Sequence, residues 1–174
     1  SAEALYLIDV ENIRVYHNNL VGSPAILIDN HILIDVRNNI LSTTNDYCFE
    51  SFDPVAMADL DYNIYYISGA FGDAVRFGTA IYATLNDWQT TGPGGYDQNS
   101  ISGNPVFVNG LHVSSSITED IATTNILDSI AYDFDGEARP YGAGNDIGAD
   151  EKIAAANDAI AIGLISPVSC GDSA

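Results

Sequence analysis

In its first third the chain repeats one pattern, and a repeat constrains the fold more than any single motif. Val15-Tyr16-His17-Asn18-Asn19-Leu20 aligns with Asp35-Val36-Arg37-Asn38-Asn39-Ile40, and more loosely with Asp59-Leu60-Asp61-Tyr62-Asn63-Ile64. The recurring asparagines Asn19, Asn39 and Asn63 are separated by 20 and 24 residues. Apolar runs precede the first two, at Leu5-Tyr6-Leu7-Ile8 and Ala25-Ile26-Leu27-Ile28, with turn formers such as Glu11-Asn12 and Asp29-Asn30-His31 between runs. Short strands with a period in the low twenties fit a coil that returns to its start one strand spacing away, about 4.8 Å. They do not fit hairpins in a sandwich.

The asparagines have a reason to recur. Where two strands of a coil meet, backbone amides and carbonyls lose their partners. An Asn there can satisfy its own coil and also bond the Asn of the next, since its side chain both donates and accepts. The competing reading is that Asn pairs mark ordinary turns. Regular spacing and the apolar residue after each Asn favour an inner ladder of Asn19, Asn39 and Asn63.

The pattern breaks at about 65–108. Ile64-Tyr65-Tyr66-Ile67 and Val75-Arg76-Phe77 read as strands. Thr84-Leu85-Asn86-Asp87-Trp88-Gln89 reads as one helical turn with Thr84 as N-cap and Asp87 completing a variant capping box; Thr91-Gly92-Pro93 ends it. This is an insertion between coils, with Trp88 expected over the solenoid's end or flank. Asn104-Pro105-Val106-Phe107-Val108 enters another strand, and Leu111-His112-Val113 suggests one more. Residues 152–174 read as a linker or the start of a following module.

Of 174 residues, 47% are hydrophobic and 17% charged, a globular composition. No apolar run is long enough to span a bilayer as a helix, and the first residues lack a basic flank and apolar signal core. The 24 acids against 5 Lys plus Arg give a formal charge of -19. That field repels nucleic acids and anionic membranes and attracts divalent cations. Cys48 and Cys170 offer at most one disulfide, undecided without geometry.

A resemblance rests on several segments in order. Asp133-x-Asp135-Gly136-x-x-Arg139-Pro140, followed by Asp146-Ile147-Gly148-Ala149-Asp150-Glu151, resembles the closing motif of bacterial right-handed parallel β-helix proteins of the pectate-lyase-like superfamily. Asp61-Tyr62-Asn63-Ile64-Tyr65-Tyr66, Leu85-Asn86-Asp87-Trp88-Gln89, Asp97-Gln98-Asn99-Ser100-Ile101 and Asn104-Pro105-Val106-Phe107-Val108 are similar to that family in the same order. The resemblance implies an all-β fold, a right-handed parallel β-helix with one loop and short-helix insertion, closed by residues 133–151. It also implies a large secreted or surface protein of Bacteroidota-type bacteria, in which Ile165 to Cys170 would enter an immunoglobulin-like module. It implies activity only weakly, because the superfamily holds lyases, hydrolases and adhesins.

A uronate lyase on this fold needs a base and a cation cluster. The basic residues Arg14, Arg37, Arg76, Arg139 and Lys152 form no matched acid–base set with them. His17, Arg37 and Asp61 align in the repeat, either as a site or as the outer face of a strand. Asp133-x-Asp135-Gly136 carries alternating carboxylates that suit calcium, but lacks the remaining EF-hand ligands. The rival reading pairs Asp133 or Asp135 with Arg139 in a network with Asp146, Asp150 and Glu151. Tyr65, Tyr66, Trp88 and Tyr96 are candidates for stacking on sugars. The expectation is an extracellular, non-catalytic adhesin, stalk or glycan-binding segment. The alternative is the C-terminal part of a polysaccharide lyase or glycoside hydrolase. No polar cap precedes Leu5, so upstream coils or another chain are expected over the first coil.

Overall fold

The computed structural model describes residues 2–53, 57–110, 112–126 and 130–152. The first coil contains β1 (Leu5–Glu11), β2 (Arg14–Tyr16) and β3 (Asn19–Val21). The second contains β4 (Ile26–Ile32), β5 (Asp35–Arg37) and β6 (Ile40–Thr43), and the third β7 (Tyr47–Ser51), β8 (Asp59–Asp61) and β9 (Ile64–Ile67). A fourth begins with β10 (Asp73–Phe77). A hairpin strand β11 (Ala80–Tyr82) and helix α1 (Leu85–Thr91) follow before β12 (Ile101–Ser102) rejoins the stack. Like strands pile into three sheets, ordered β1-β4-β7-β10-β11, β2-β5-β8 and β3-β6-β9-β12. Every pairing between coils is parallel. The chain is a parallel β-solenoid of about three turns.

The expected insertion is therefore narrower than 65–108. Ile64–Ile67 and Asp73–Phe77 are coil strands, and the departure lies between β10 and β12. Within it the capping box forms: the Asp87 amide donates to Thr84 Oγ1, and the Thr84 amide donates to the Asp87 carboxylate. The remaining strands, β13 (Phe107–Val108) and β14 (His112–Val113), pair antiparallel.

Strand alternation builds two apolar regions. Inside the coils, Ile26, Ile28, Val36, Leu41, Leu60 and Tyr65 are buried together. Each such side chain contributes roughly 1.5–3 kcal/mol by leaving water. On the outer face of the third sheet, Ile40 and Ile64 pack with Val113 and Ile147 from the C-terminal region. That region is a layer laid on the solenoid's flank.

The corners recur in backbone conformation. His17 (φ 52°), Asn38 (φ 60°) and Tyr62 (φ 54°) stand at the same corner of successive coils, all left-handed. Asn12 and Leu33 form a second column, and Asp9 and Asn30 a third. A left-handed residue other than glycine costs about 1–2 kcal/mol. At the first corner that conformation turns the chain so that the following residue's amide enters the ladder.

The ladder runs through Asn39 and Asn63 as expected, but its first rung is Asn18. The Asn39 amide and Nδ2 donate to Asn63 Oδ1 at 3.0 and 3.2 Å. The Asn18 amide and Nδ2 donate to Asn39 Oδ1 at 3.0 and 3.1 Å. Asn19 instead pairs in register with Ile40 on the outer face, where its Oδ1 accepts from the Ala149 amide at 3.0 Å. The coil offset there is 21 residues, and aligning Asn19 with Asn39 slips the first coil by one.

Candidate functional site

The fourth coil ends the ladder with a buried carboxylate. The Asn63 amide donates to Ser100 Oγ at 2.8 Å, so Ser100 takes the asparagine's place. Asp97, fully buried, accepts from Trp88 Nε1 at 2.8 Å, Tyr65 Oη at 2.9 Å and Ser100 Oγ at 2.5 Å. Burial pushes its carboxyl up to about 6, against the pull of these donors. Trp88 is 2% exposed and packs with Phe77, Tyr82 and Tyr96 over this end of the coils. The sequence marks Asp97 only as the first residue of the Asp97–Ile101 segment and gives its carboxylate no role.

This packing takes up most of the rings that were candidates for stacking on sugars. Tyr65 is 1% exposed and Trp88 2%, so neither presents a ring face to solvent. Tyr96 is half-buried against Trp88, and its hydroxyl accepts from the Met57 amide at 2.9 Å. Tyr66 alone of the four keeps a half-exposed ring free of these contacts.

The aligned polar column also resolves differently. Tyr16, not His17, lies in register with Arg37 and Asp61. Arg37 forms a fork on Asp35, reaches Asp59 at 3.3 Å, and stacks over Tyr16. His17 turns instead to the closing layer. Asn38 Oδ1 accepts from the Thr123 amide while Nδ2 donates to the Thr123 carbonyl, which fixes the amide's orientation. Asn38 Nδ2 therefore points at His17 Nε2 at 3.1 Å, while His17 Nδ1 lies 2.9 Å from the Arg139 Nη1 donor and 3.1 Å from the Asp146 carbonyl. Burial, then the nearby Arg139 charge, lower His17 to about 4.

The closing network assembles around a different pair from the one expected. Arg139 bonds Glu151 at 2.6 Å rather than Asp133 or Asp135, and Nη2 donates to the Gly148 carbonyl at 2.8 Å. Glu151 also accepts from the amides of Asp146 and Tyr141. Asp146 ties the amides of Asp120 and Lys152, and burial pushes it up to about 6. Asp133 bridges the amides of Glu137 and Glu151. Burial acts to raise it, but those amides outweigh burial and hold it below the usual range. Gly148, at φ 105°, donates to the Asn38 carbonyl at 2.9 Å. A Cβ there would lie 2.4 Å from Asn19 Oδ1, so glycine permits the close approach.

Asp135 meets that network through Asp133, whose Oδ1 accepts from the Asp135 amide at 3.3 Å. It joins a cluster at the rim, where ligand atoms of His112, Asp135 and Asp150, and of Asp133, Asp135, Glu137 and Asp150, lie within 4.8 Å of one another. His112 Nδ1 is 3.1 Å from Asp150 Oδ1. The Asp133 carboxylate pushes the exposed Asp135 carboxyl up. Backbone amides already occupy both Asp133 oxygens and Asp150 Oδ2. Asp135 and Asp150 belong to both groups, and Asp150 Oδ1 already faces His112 Nδ1. A mostly carboxylate set suits a hard divalent cation.

Cys48 is buried, with its thiol pushed up to about 12 by burial; Cys170 and the supposed module entry, residues 153–174, lie outside the described residues. Among the described residues no helix is long and apolar enough to cross a membrane. No family model, no curated protein and no solved structure matches the chain.

Proposed function

We propose that this chain is a non-catalytic segment of a larger extracellular or bacterial cell-surface β-helix, acting as adhesin or stalk. The observation that carries this reading is the unlike treatment of the two ends of the coil stack. The far end is covered by α1 and Trp88. At the near end, Leu5 and Leu7 are only half-buried, although their register partners Ile26 and Ile28 are fully buried. A half-covered core at one end supports stacking by upstream coils of the same protein or by another chain.

The flank is the surface that such a segment would offer to glycans or partner proteins. The exposed rings available for such contacts include Phe71 at 83% and Tyr132 at 64% exposure, with Tyr66 half-exposed nearby in sequence to Phe71. A calcium ion among Asp133, Asp135, Glu137 and Asp150 would fasten the closing layer, a role compatible with the large acidic excess.

The test is a glycan array probed with the chain in calcium, beside a uronate-polymer assay for unsaturated products. Glycan retention without product release is expected. Release of unsaturated sugars would overturn the non-catalytic reading in favour of a lyase.

A further inference from the structure

The amide ladder has a direction, and its first rung is set to receive another. Each rung's Oδ1 accepts two bonds from the coil before it. Asn63 Oδ1 takes the amide and Nδ2 of Asn39, and Asn39 Oδ1 takes those of Asn18. Each Nδ2 also reaches back one coil, from Asn39 to the Val15 carbonyl and from Asn63 to the Val36 carbonyl. Asn18 keeps the outgoing half of this pattern. Its Oδ1 accepts no hydrogen bond among the described residues, and its Nδ2 donates to the Tyr16 carbonyl of its own coil.

The surroundings repeat the same arrangement. β1, β2 and β3 are the terminal strands of all three sheets on this side. His17 already holds the left-handed corner that Asn38 and Tyr62 hold in the next two coils. Ala2 and Ala4 follow the coil path, exchanging backbone bonds with Ser23 and Pro24. The inward residues Leu5, Leu7, Val10 and Ile13 pack on the core while remaining partly exposed. A helix or an unrelated loop would cover that apolar surface but could not bring a paired backbone amide and side-chain amide to the corner.

We propose that the first coil docks a parallel β-helix coil carrying an asparagine at the corner, whose backbone amide and Nδ2 both donate to Asn18 Oδ1. This rests on the proposed solenoid-segment reading and adds the chemistry that selects the occupant. A flat edge accepts any strand, whereas this corner accepts an amide in one register.

The experiment fuses a copy of residues 22–42, one coil long, directly ahead of the chain. It compares this fusion with the same fusion bearing Asn39→Ala in the copy alone. Hydrogen exchange of the β1 amides and the trans-hydrogen-bond coupling between the copied Asn39 amide nitrogen and the Asn18 side-chain carbonyl are read. The expected result is slower β1 exchange in the fusion, a detectable coupling, and about tenfold loss of the added protection with Asn39→Ala. Equal protection by both fusions with no coupling would overturn the amide-selected docking and leave the solenoid-segment reading standing. No protection from either fusion would overturn both.

Discussion

Arg139 and Glu151 form an ion pair 2.6 Å long in which the side chains are 1% and 0% exposed. Twelve residues apart, they clamp the loop between them into a closed turn whose inner face carries Ile147 onto Ile40 and Ile64. Removing one member leaves the other charged and buried, a loss of roughly 3–5 kcal/mol. Arg139→Met and Glu151→Gln should each release the layer at 130–152. Hydrogen exchange should show that release while amides of β4–β6 stay protected. The double substitution should cost less than the sum of the two singles. Loss of β4–β6 protection at the same denaturant concentration would mean that layer and coils unfold as one unit.

Acid should weaken the His17 contact. Its folded pKa of about 4 lies below its ordinary 6.5, so the unfolded chain binds a proton that the folded chain does not. The stability this confers is complete above about pH 6.5 and is lost as pH falls towards 4. Asp146, raised to about 6, has the opposite sign: it favours unfolding as pH rises from about 4 to 6. The stability difference between the native chain and His17→Gln isolates the histidine. That difference should shrink steadily between pH 6.5 and 4 in chemical denaturation, and a flat difference would count against a neutral buried imidazole.

Asp97 should be among the most sensitive positions at the far end. Asp97→Ala strands the donors of Trp88, Tyr65 and Ser100 in a dry site, at a cost of roughly 2–4 kcal/mol. A red shift of Trp88 fluorescence is expected with the stability loss, since its indole would gain water. Asp97→Asn should retain part of the stability, because one amide oxygen still accepts.

Calcium should stabilise the closing layer through the Asp135 cluster. Ion at a hundred times its dissociation constant adds about 2.7 kcal/mol. A calcium-dependent rise in the thermal midpoint that disappears with Asp135→Asn and Glu137→Gln is expected. An unchanged midpoint in the presence of calcium, with chelator as reference, would remove the ion from the account.

The coil architecture was legible because burial and backbone pairing act locally, at strand and corner. Asn39 and Asn63 could be found from sequence for that reason. Asn18 could not, because two adjacent asparagines allow an alignment by residue type to slip by one. The deciding feature was which residue takes the left-handed corner, and His17, Asn38 and Tyr62 share no side-chain chemistry. Arg139 was correctly singled out but wrongly paired. The motif offered Asp133 or Asp135 as partner, whereas burial selected Glu151, which could be desolvated together with the guanidinium. Trp88 packs over the solenoid's end as expected, whereas its candidacy and that of Tyr65 for sugar stacking came from aromatic composition, which does not say which side faces out. Asp97 depends on contacts from three separate segments, and no local pattern records them.

The corner before β3, β6 and β9 always holds two residues: His17-Asn18, Asn38-Asn39 and Tyr62-Asn63. The other two corners vary in length, and one of them admits the whole β11–α1 excursion. The amide file thus acts as a fixed spine, dividing the molecule into one side where evolution or an engineer must count residues and another where sequence may be freely added. Diversity between relatives of such a chain should collect on the two permissive edges, leaving the third nearly uniform in spacing.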